Sequence, residues 1–212
     1  MALSCRGWIG GTVGALLCSV ASAQVHPGPV PEALFGTTYV KFEPVIAGGS
    51  RVGCTMHFKV LTHDDPRGRG QILFLVGSFG ALKTSSGFSG YVKASIQDLD
   101  LSGPQMQIKP VRPAAANLVG LDGTTSAGAT QSQPSDDPAY LMVYVSPSRF
   151  LDVMTAALRT QQLKVAVTRI EGTLDIAPTV DLTVTNMSAS GERQRSTGEL
   201  RQWSDCFLTL AQ

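Results

Sequence analysis

Two cysteines far apart in the sequence, Cys54 and Cys206, place the strongest constraint on how this chain can fold. The other two cysteines, Cys5 and Cys18, lie in an N-terminal segment that has the pattern of a cleaved export signal. Two cysteines that remain in an exported chain most simply pair with each other, and they lack the C-x-x-C spacing of a zinc site. The bridge would close a loop of about 150 residues, a constraint on the order of 5 kcal/mol in the chain-entropy model.

The first 23 residues predict export. Arg6 is their only charged residue, an apolar run follows, and Ala21-Ser22-Ala23 provides an A-x-A exit before Gln24. These are the parts of a secretory signal peptide, and the apolar run is shorter than the roughly 20 residues of a membrane span. We therefore expect cleavage after Ala23 and a periplasmic or secreted protein. The alternative, a lipid anchor at Cys18, is disfavoured because the residue before Cys18 is the large Leu17.

The charge balance argues against nucleic acid as a partner. Lys and Arg number 17 and Asp and Glu number 16, so removal of Arg6 with the signal leaves the mature chain formally neutral. Nucleic-acid binders usually carry clustered basic residues. The densest cluster, Arg193, Arg195 and Arg201, is diluted by neighbouring glutamates and is interpreted as a solvated helix face. No apolar run beyond Ala23 reaches spanning length.

The residues after the signal predict an extended leader followed by one domain. Residues 24–36 contain three prolines and are expected to be extended. Residues 37–212 are expected to form a single disulfide-linked domain, a size that suits one core. Period-two alternation of apolar residues, clearest over residues 51–62, and short apolar runs predict strands. The main predicted strands are residues 38–44, 51–62, 71–78, 91–98, 106–111, 140–145 and 163–170.

Two segments are expected to interrupt this pattern. Gly77-Ser78-Phe79-Gly80 is interpreted as a break that ends a central strand. Residues 113–139 are rich in Ala, Gly, Thr, Ser and Gln, a composition that buries little apolar surface. We expect them to form one long flexible loop inserted into the domain.

Two amphipathic helices are predicted in the C-terminal half. Ser146-Pro147 supplies an N-cap with proline at the first helical position, and apolar residues spaced by four follow to about residue 159. Ser196-x-x-Glu199 matches a capping box before a closing helix that contains Cys206. The predicted fold class is α+β: a mostly antiparallel sheet, sandwich-like or curved, with two helices.

The sequence offers few candidates for chemistry. The densest cluster of ionisable residues lies in a predicted turn and consists of His63, Asp64, Asp65, Arg67 and Arg69. A histidine and two carboxylates can bind a cation or pair an acid with a base, but adjacent turn residues rarely converge on one ion, and the arginines would neutralise them. We interpret the cluster as a polar hairpin tip and expect no metal and no cofactor.

Other candidate residues are isolated. His57 lies on the opposite face of its strand to Met56 and Phe58, so it is expected to face solvent or a neighbouring layer. Asp175 and Asp181 flank Pro178 and could form a carboxylate pair only if the fold brings them together.

The closing helix carries the pattern Trp203-x-x-Cys206-Phe207-x-x-Leu210. Together with the preceding helix and strands, over residues 146–210, this layout resembles the C-terminal region of small periplasmic proteins such as the invasion-associated locus B family. We transfer no function from this resemblance.

The expected function is that of an exported, non-enzymatic binding protein that contacts another protein or an envelope component, for example an adaptor, an inhibitor or an assembly subunit. One alternative is an envelope hydrolase or carbohydrate-active enzyme whose carboxylates converge only in the fold. Another is a carrier of a small ligand, which requires a pocket of a few hundred Å³.

The export assignment gives the first prediction. Protein recovered from its host should begin at Gln24, because Ala21 and Ala23 fit the peptidase. Mass spectrometry of the intact protein measures this directly. A lipid-modified N-terminus at Cys18 would contradict the assignment and place the protein on a membrane surface.

Overall fold

The protein is described here by a computed structural model that covers residues 30–64, 72–85, 87–100, 107–128, 130–135, 137–169 and 175–210. The predicted signal peptide, residues 24–29 of the predicted leader, and Asp65, Arg67 and Arg69 of the polar cluster lie outside the described residues.

The described residues are mostly strand, with two α-helices late in the chain. In chain order the elements are a 3-10 turn (Glu32–Leu34), β1 (Gly36–Ala47), β2 (Ser50–His63), β3 (Ile72–Thr84), β4 (Gly87–Asp100), β5 (Gln107–Val111), β6 (Pro113–Gly120), β7 (Thr130–Pro134), β8 (Leu141–Val145), α1 (Pro147–Thr160), β9 (Gln162–Arg169), β10 (Asp175–Ile176), β11 (Thr179–Asp181), β12 (Val184–Met187), β13 (Arg193–Arg195) and α2 (Gly198–Leu210).

A seven-stranded antiparallel sheet forms the first layer. Its strand order is β1-β2-β3-β4-β8-β7, with β5 also paired to β4. A second sheet has β9 at its centre, with β6, β10 and β11 as neighbours, and β12 pairs with β13. The sheets are not closed. The predicted α+β class, mostly antiparallel with two helices in the C-terminal half, is confirmed.

The core lies on one face of the large sheet. Met56 is paired with Phe79, which is paired with Val92, and all three side chains are fully buried. Directly opposed residues in an antiparallel pair share a face, so alternation along each strand produces continuous apolar rows across the sheet. Helices α1 and α2 and the β9 sheet contribute buried side chains to the same cluster.

Aromatic rings join α2 to α1 and to the large sheet. The Trp203 ring of α2 is stacked on Phe207, with centroids 5.4 Å apart, and lies 6.2 Å from Phe150 of α1 and 6.4 Å from Phe79 of β3. Trp203 is fully buried. The apolar spacing that predicted both helices therefore marks the faces that cover the sheet.

The predicted disulfide between Cys54 and Cys206 is present, with the two Cα atoms 6.0 Å apart. It ties α2 to the middle of β2, as the sequence predicted. A second contact holds the start of the helix, because the Phe42 amide on β1 donates to the Glu199 carboxylate at 2.6 Å. Glu199 thus bonds a strand, whereas a capping box would use it to bond the backbone at the helix start.

The structure differs from the loop expected over residues 113–139. Pro113–Gly120 is strand β6, which pairs with β9, and Thr130–Pro134 is strand β7, which pairs with β8 at the edge of the large sheet. Ala116 and Leu118 are buried, so two apolar residues at period two suffice when a neighbouring strand pairs with the segment. The average composition of residues 113–139 does not reveal this local alternation of apolar residues.

The arginine cluster differs as well. Arg193 and Arg195 lie on β13, and only Arg201 lies on a helix. The Arg193 guanidinium donates to the carbonyl oxygens of Thr37 and Ala33 at 2.8 and 3.0 Å, so it clamps the start of the domain onto the β12–β13 hairpin. A fork of five N–H donors suits such a set of backbone acceptors.

Substitution of Ser126 tests whether residues 113–139 are packed. The Leu118 amide donates to the fully buried Ser126 hydroxyl at 2.8 Å, so Ser126→Ala leaves a buried donor without its acceptor. We expect a loss of about 1–3 kcal/mol in the free energy of unfolding, measured with urea. The matched control is Ser132→Ala at an exposed position of β7, with an expected effect within about 0.5 kcal/mol. If neither variant changed the free energy of unfolding, the interpretation of residues 113–139 as a flexible loop would be supported instead.

Candidate functional site

His63 and Asp64 are the two members of the predicted polar cluster that the structure describes. The His63 ring is stacked on Phe35, with centroids 3.7 Å apart, and its Nε2 lies 3.6 Å from the Glu32 carboxylate. Asp64 is 2% exposed and forms an ion pair with Arg169 of β9, Nη1 to Oδ2, at 2.7 Å. The two neighbouring residues therefore have separate partners, and Asp64 contributes to joining the two sheets.

The two aspartates proposed for a hydrolase pair with opposite ends of one strand. Asp175 is paired with Thr168 of β9, whereas Asp181 is paired with Gln162 at the other end of the same strand. Thr168 and Gln162 are six positions apart on β9, a distance of roughly 20 Å at 3.4 Å per residue. Glycosidase pairs need carboxylates within about 10 Å, so this pair is not brought together. Within the described ranges, no group of three or more His, Cys, Asp or Glu residues could hold a metal ion.

The structure brings a different set of side chains together on the face of the large sheet opposite the core. The register places His57, Ser78, Lys93 and Met142 side by side on β2, β3, β4 and β8. We call this the basic row. Side chains of directly opposed residues point to the same side of the sheet, so the alternation that buries Met56 and Phe79 places this row outward.

A second outward row lies one pleat away. It runs from Glu43 through Thr55, Gly80 and Tyr91 to Tyr144, on β1, β2, β3, β4 and β8. We call this the hydroxyl row.

The two rows line an open groove of about 580 Å³. Residues of the β1 edge and of β7 complete the walls. The lining residues are Glu43, Pro44, Val45, Ile46, Thr55, His57, Ser78, Leu82, Tyr91, Lys93, Gln133, Ser135, Met142 and Tyr144.

Hydroxyl groups form the floor of the groove. Gly80 separates Thr55 from Tyr91 in the hydroxyl row, and the Tyr91 hydroxyl reaches across it to the Thr55 Oγ at 2.6 Å. Ser78 also hydrogen-bonds to Tyr91. Burial raises the pKa of Tyr91 above its usual value, against the opposing effect of these hydrogen bonds, so its phenol stays protonated at neutral pH.

Gly80 has no room for a side chain. A Cβ at this position would lie 1.9 Å from the Cys54 carbonyl oxygen. Gly77-Ser78-Phe79-Gly80 lies in the middle of β3, so the strand break predicted from the sequence is wrong. Gly80 and Ser78 face the groove, and their small size leaves space above the sheet there.

Charged groups stand at one rim. The Lys41 ammonium lies 2.6 Å from the Glu43 carboxylate, and the His57 Nε2 lies 3.3 Å from its other oxygen. The hydrogen bond from Lys41, with a further contribution from His57, lowers the pKa of Glu43, and the same contact raises the pKa of Lys41. Glu43 is thus a stable anion whose charge is already balanced at the rim.

Lys93 differs from Lys41 because it has an aromatic partner. Its Nζ lies 4.9 Å from the centroid of the Tyr140 ring, a cation–π distance. No carboxylate of the described residues lies within 4.0 Å of its ammonium. On the same side of the groove, the Gln133 amide donates to the Tyr144 hydroxyl at 3.2 Å.

These groups equip the groove to bind through hydroxyls, one ammonium, one imidazole and two tyrosines. Backbone amides on a sheet face point along the sheet and are used by the neighbouring strands. The donors that the groove offers to a bound group are therefore side chains.

Comparisons with protein-family models, with curated proteins and with solved structures found no match to this chain. The resemblance noted over residues 146–210 therefore places the chain in no family, and the geometry of the groove carries the functional argument. No helix within the described ranges is both long and apolar enough to cross a membrane.

Replacement of Tyr91 by Phe tests the floor of the groove. Loss of the hydroxyl removes the partner of the buried Thr55 Oγ, so we expect Tyr91→Phe to lower the free energy of unfolding by about 1 kcal/mol at pH 8.

The raised pKa of Tyr91 also predicts how the free energy of unfolding changes with pH. The folded pKa of Tyr91 lies above the unfolded value of about 10, so above that pH the unfolded chain loses the proton first. Stability therefore falls with rising pH in the wild type, and the gap between it and Tyr91→Phe should shrink between pH 9 and 11. Parallel curves over this range would show that Tyr91 is not buried as described.

Proposed function

We propose that this protein is an exported, non-enzymatic binding protein that holds its partner on the open face of the seven-stranded sheet. The observation that carries the proposal is the groove formed by the basic and hydroxyl rows. One face of the sheet is covered by α1, α2 and the β9 sheet, whereas the other presents aligned hydrogen-bonding side chains around an open volume of about 580 Å³. Binding sites are typically concave, with a few placed polar groups among apolar ones.

The hydrolase alternative has one specific observation in its favour. Glu43, His57 and Ser78 all line the groove, and Glu43 contacts His57 at 3.3 Å. However, a glycosidase needs two carboxylates, and Glu43 is the single one among the described lining residues. For a serine nucleophile, the His57 Nε2 faces Glu43 and the Ser78 hydroxyl bonds to Tyr91. A serine nucleophile needs a base that accepts its proton, so this arrangement favours binding over catalysis.

The alternative function, a carrier of a small ligand, depends on whether the groove has the volume of a small-molecule site. The groove volume falls within the range of about 300–1,000 Å³ for small-molecule sites. The same rim is accessible to a side chain of a protein partner, so binding of a protein and of a small molecule would use the same residues.

Export is supported by the signal pattern in residues 1–23 and by the Cys54–Cys206 bridge, since such bridges persist in oxidising compartments. The expected partner is accordingly another protein or a component of the cell envelope.

Charge reversal in the groove tests the proposal. Affinity capture from the host envelope should recover a partner with the wild-type protein and lose it with Lys93→Glu, because reversal replaces the positive charge next to Ser78 with a negative one. The control is Lys83→Glu, which makes the same change at an exposed position of β3 outside the groove lining. Unchanged melting temperatures show that both variants fold. Retention of the partner by Lys93→Glu would contradict the proposal.

A further inference from the structure

We propose that the groove takes an anionic group, a carboxylate or a phosphate attached to an apolar body, and that this group sits above Ser78 between His57 and Lys93. The inference rests on the proposed binding function and adds the chemical class of the ligand.

The basic row sets the position of the anion. Ser78 is paired with His57 on one side and with Lys93 on the other. Neighbouring strands lie about 4.8 Å apart, so the two flanking Cα atoms are separated by roughly 10 Å. The serine side chain is short, and it leaves a gap that an oxyanion can fill while it contacts both flanking side chains.

The charges of the groove favour an anion over a cation. Lys41 and Glu43 neutralise each other at 2.6 Å, which leaves Lys93 as the ammonium of the groove without a carboxylate of the described residues in ion-pair range. The neighbouring Asp137 accepts the Ala139 amide through Oδ1 at 3.0 Å. It remains a negative charge near Tyr140, whose pKa is raised by burial and by Asp137.

Burial makes an ion pair with Lys93 worth forming. Lys93 is half-buried, and its ammonium lies over the Tyr140 ring, which shields one side of it from water. A partly desolvated charge is costly until it is paired, and charge-assisted hydrogen bonds to an oxyanion are stronger than bonds between neutral groups. The hydroxyls of Ser78, Thr55 and Tyr91 line the floor at this position, where Tyr91 is hydrogen-bonded to the other two.

Apolar side chains determine what the anion is attached to. Leu82 and Met142 line the groove on either side of the floor, and Val45 extends the apolar surface toward the β1 edge. A flat or apolar body next to the anionic group would cover these side chains and the ring of Tyr144. A highly charged ligand such as inorganic phosphate would leave that surface exposed.

The test is a titration of the isotopically labelled exported chain, with its disulfide intact, followed by amide chemical shifts. The probes are benzoate, phenyl phosphate and the neutral benzamide. We expect benzoate or phenyl phosphate to bind with a dissociation constant of about 1 mM, a value typical of fragments, and to shift amides near Thr55, Ser78 and Lys93. The comparison of the two anions distinguishes a carboxylate ligand from a phosphate ligand.

Variants identify the contact. Lys93→Gln should weaken binding of the anion at least fivefold, Lys93→Arg should retain it, and Lys83→Gln should leave it unchanged. Benzamide should bind at least fivefold more weakly than benzoate. Equal binding of benzamide, shifts that map outside the groove, or an unchanged affinity in Lys93→Gln would each overturn the inference.

Failure of this inference is distinguishable from failure of the proposed function. If none of the anionic probes binds while Lys93→Glu still loses the captured partner, the ligand class is wrong and the binding function stands. If the partner is captured equally by Lys93→Glu, the groove is not the binding surface.

Discussion

The pairing register of β2, β3 and β4 is the constraint on which the rest of this structure depends. Side chains alternate between the two faces of a strand, so a slip of one residue in any of these pairings would exchange core and groove. The observed register aligns Met56 with Phe79 beneath the helices and His57 with Ser78 on the open face. Burial of the apolar rows fixes this register, and the polar rows follow from it. The groove is therefore a geometric consequence of the core.

The disulfide secures the same arrangement from the covered side. Cys54 and Thr55 are adjacent on β2; the first is bridged to α2 and the second bonds Tyr91 in the groove floor. Strand β2 thus carries the disulfide on its core face and groove-lining side chains on its other face. Because α2 is held against the core face by this bridge and by the Trp203 ring contacts, it leaves the opposite face uncovered. A floor on a sheet tied covalently to its supporting helix is rigid, and rigidity reduces the entropic cost of binding.

Local patterns in the sequence predicted most of the strands and both helices. The features that the sequence could not predict are those that depend on which strands pair with one another. The alternation through Cys54 and Met56, the helix after Pro147 and the Cys54–Cys206 bridge are all signalled by residues close together or by simple counting. The strand in residues 113–120 was missed because its stability comes from β9, which follows much later in the chain. The groove was missed because Thr55 and Tyr91, 36 residues apart, meet only through a shared neighbour, Gly80. The polar members of each alternating strand were the available signal, and only the register shows which of them lie side by side.

The central claim is that this register places an apolar row under the helices and the hydroxyl and basic rows on the opposite face of the sheet. Cross-strand nuclear Overhauser effects in the labelled protein measure it most directly. The account predicts contacts between the Thr55 methyl and the Tyr91 ring, and between the rings of Phe79 and Trp203. Contacts between the Phe79 ring and the side chain of His57 would show that β3 is displaced by one residue and would contradict both the core and the groove.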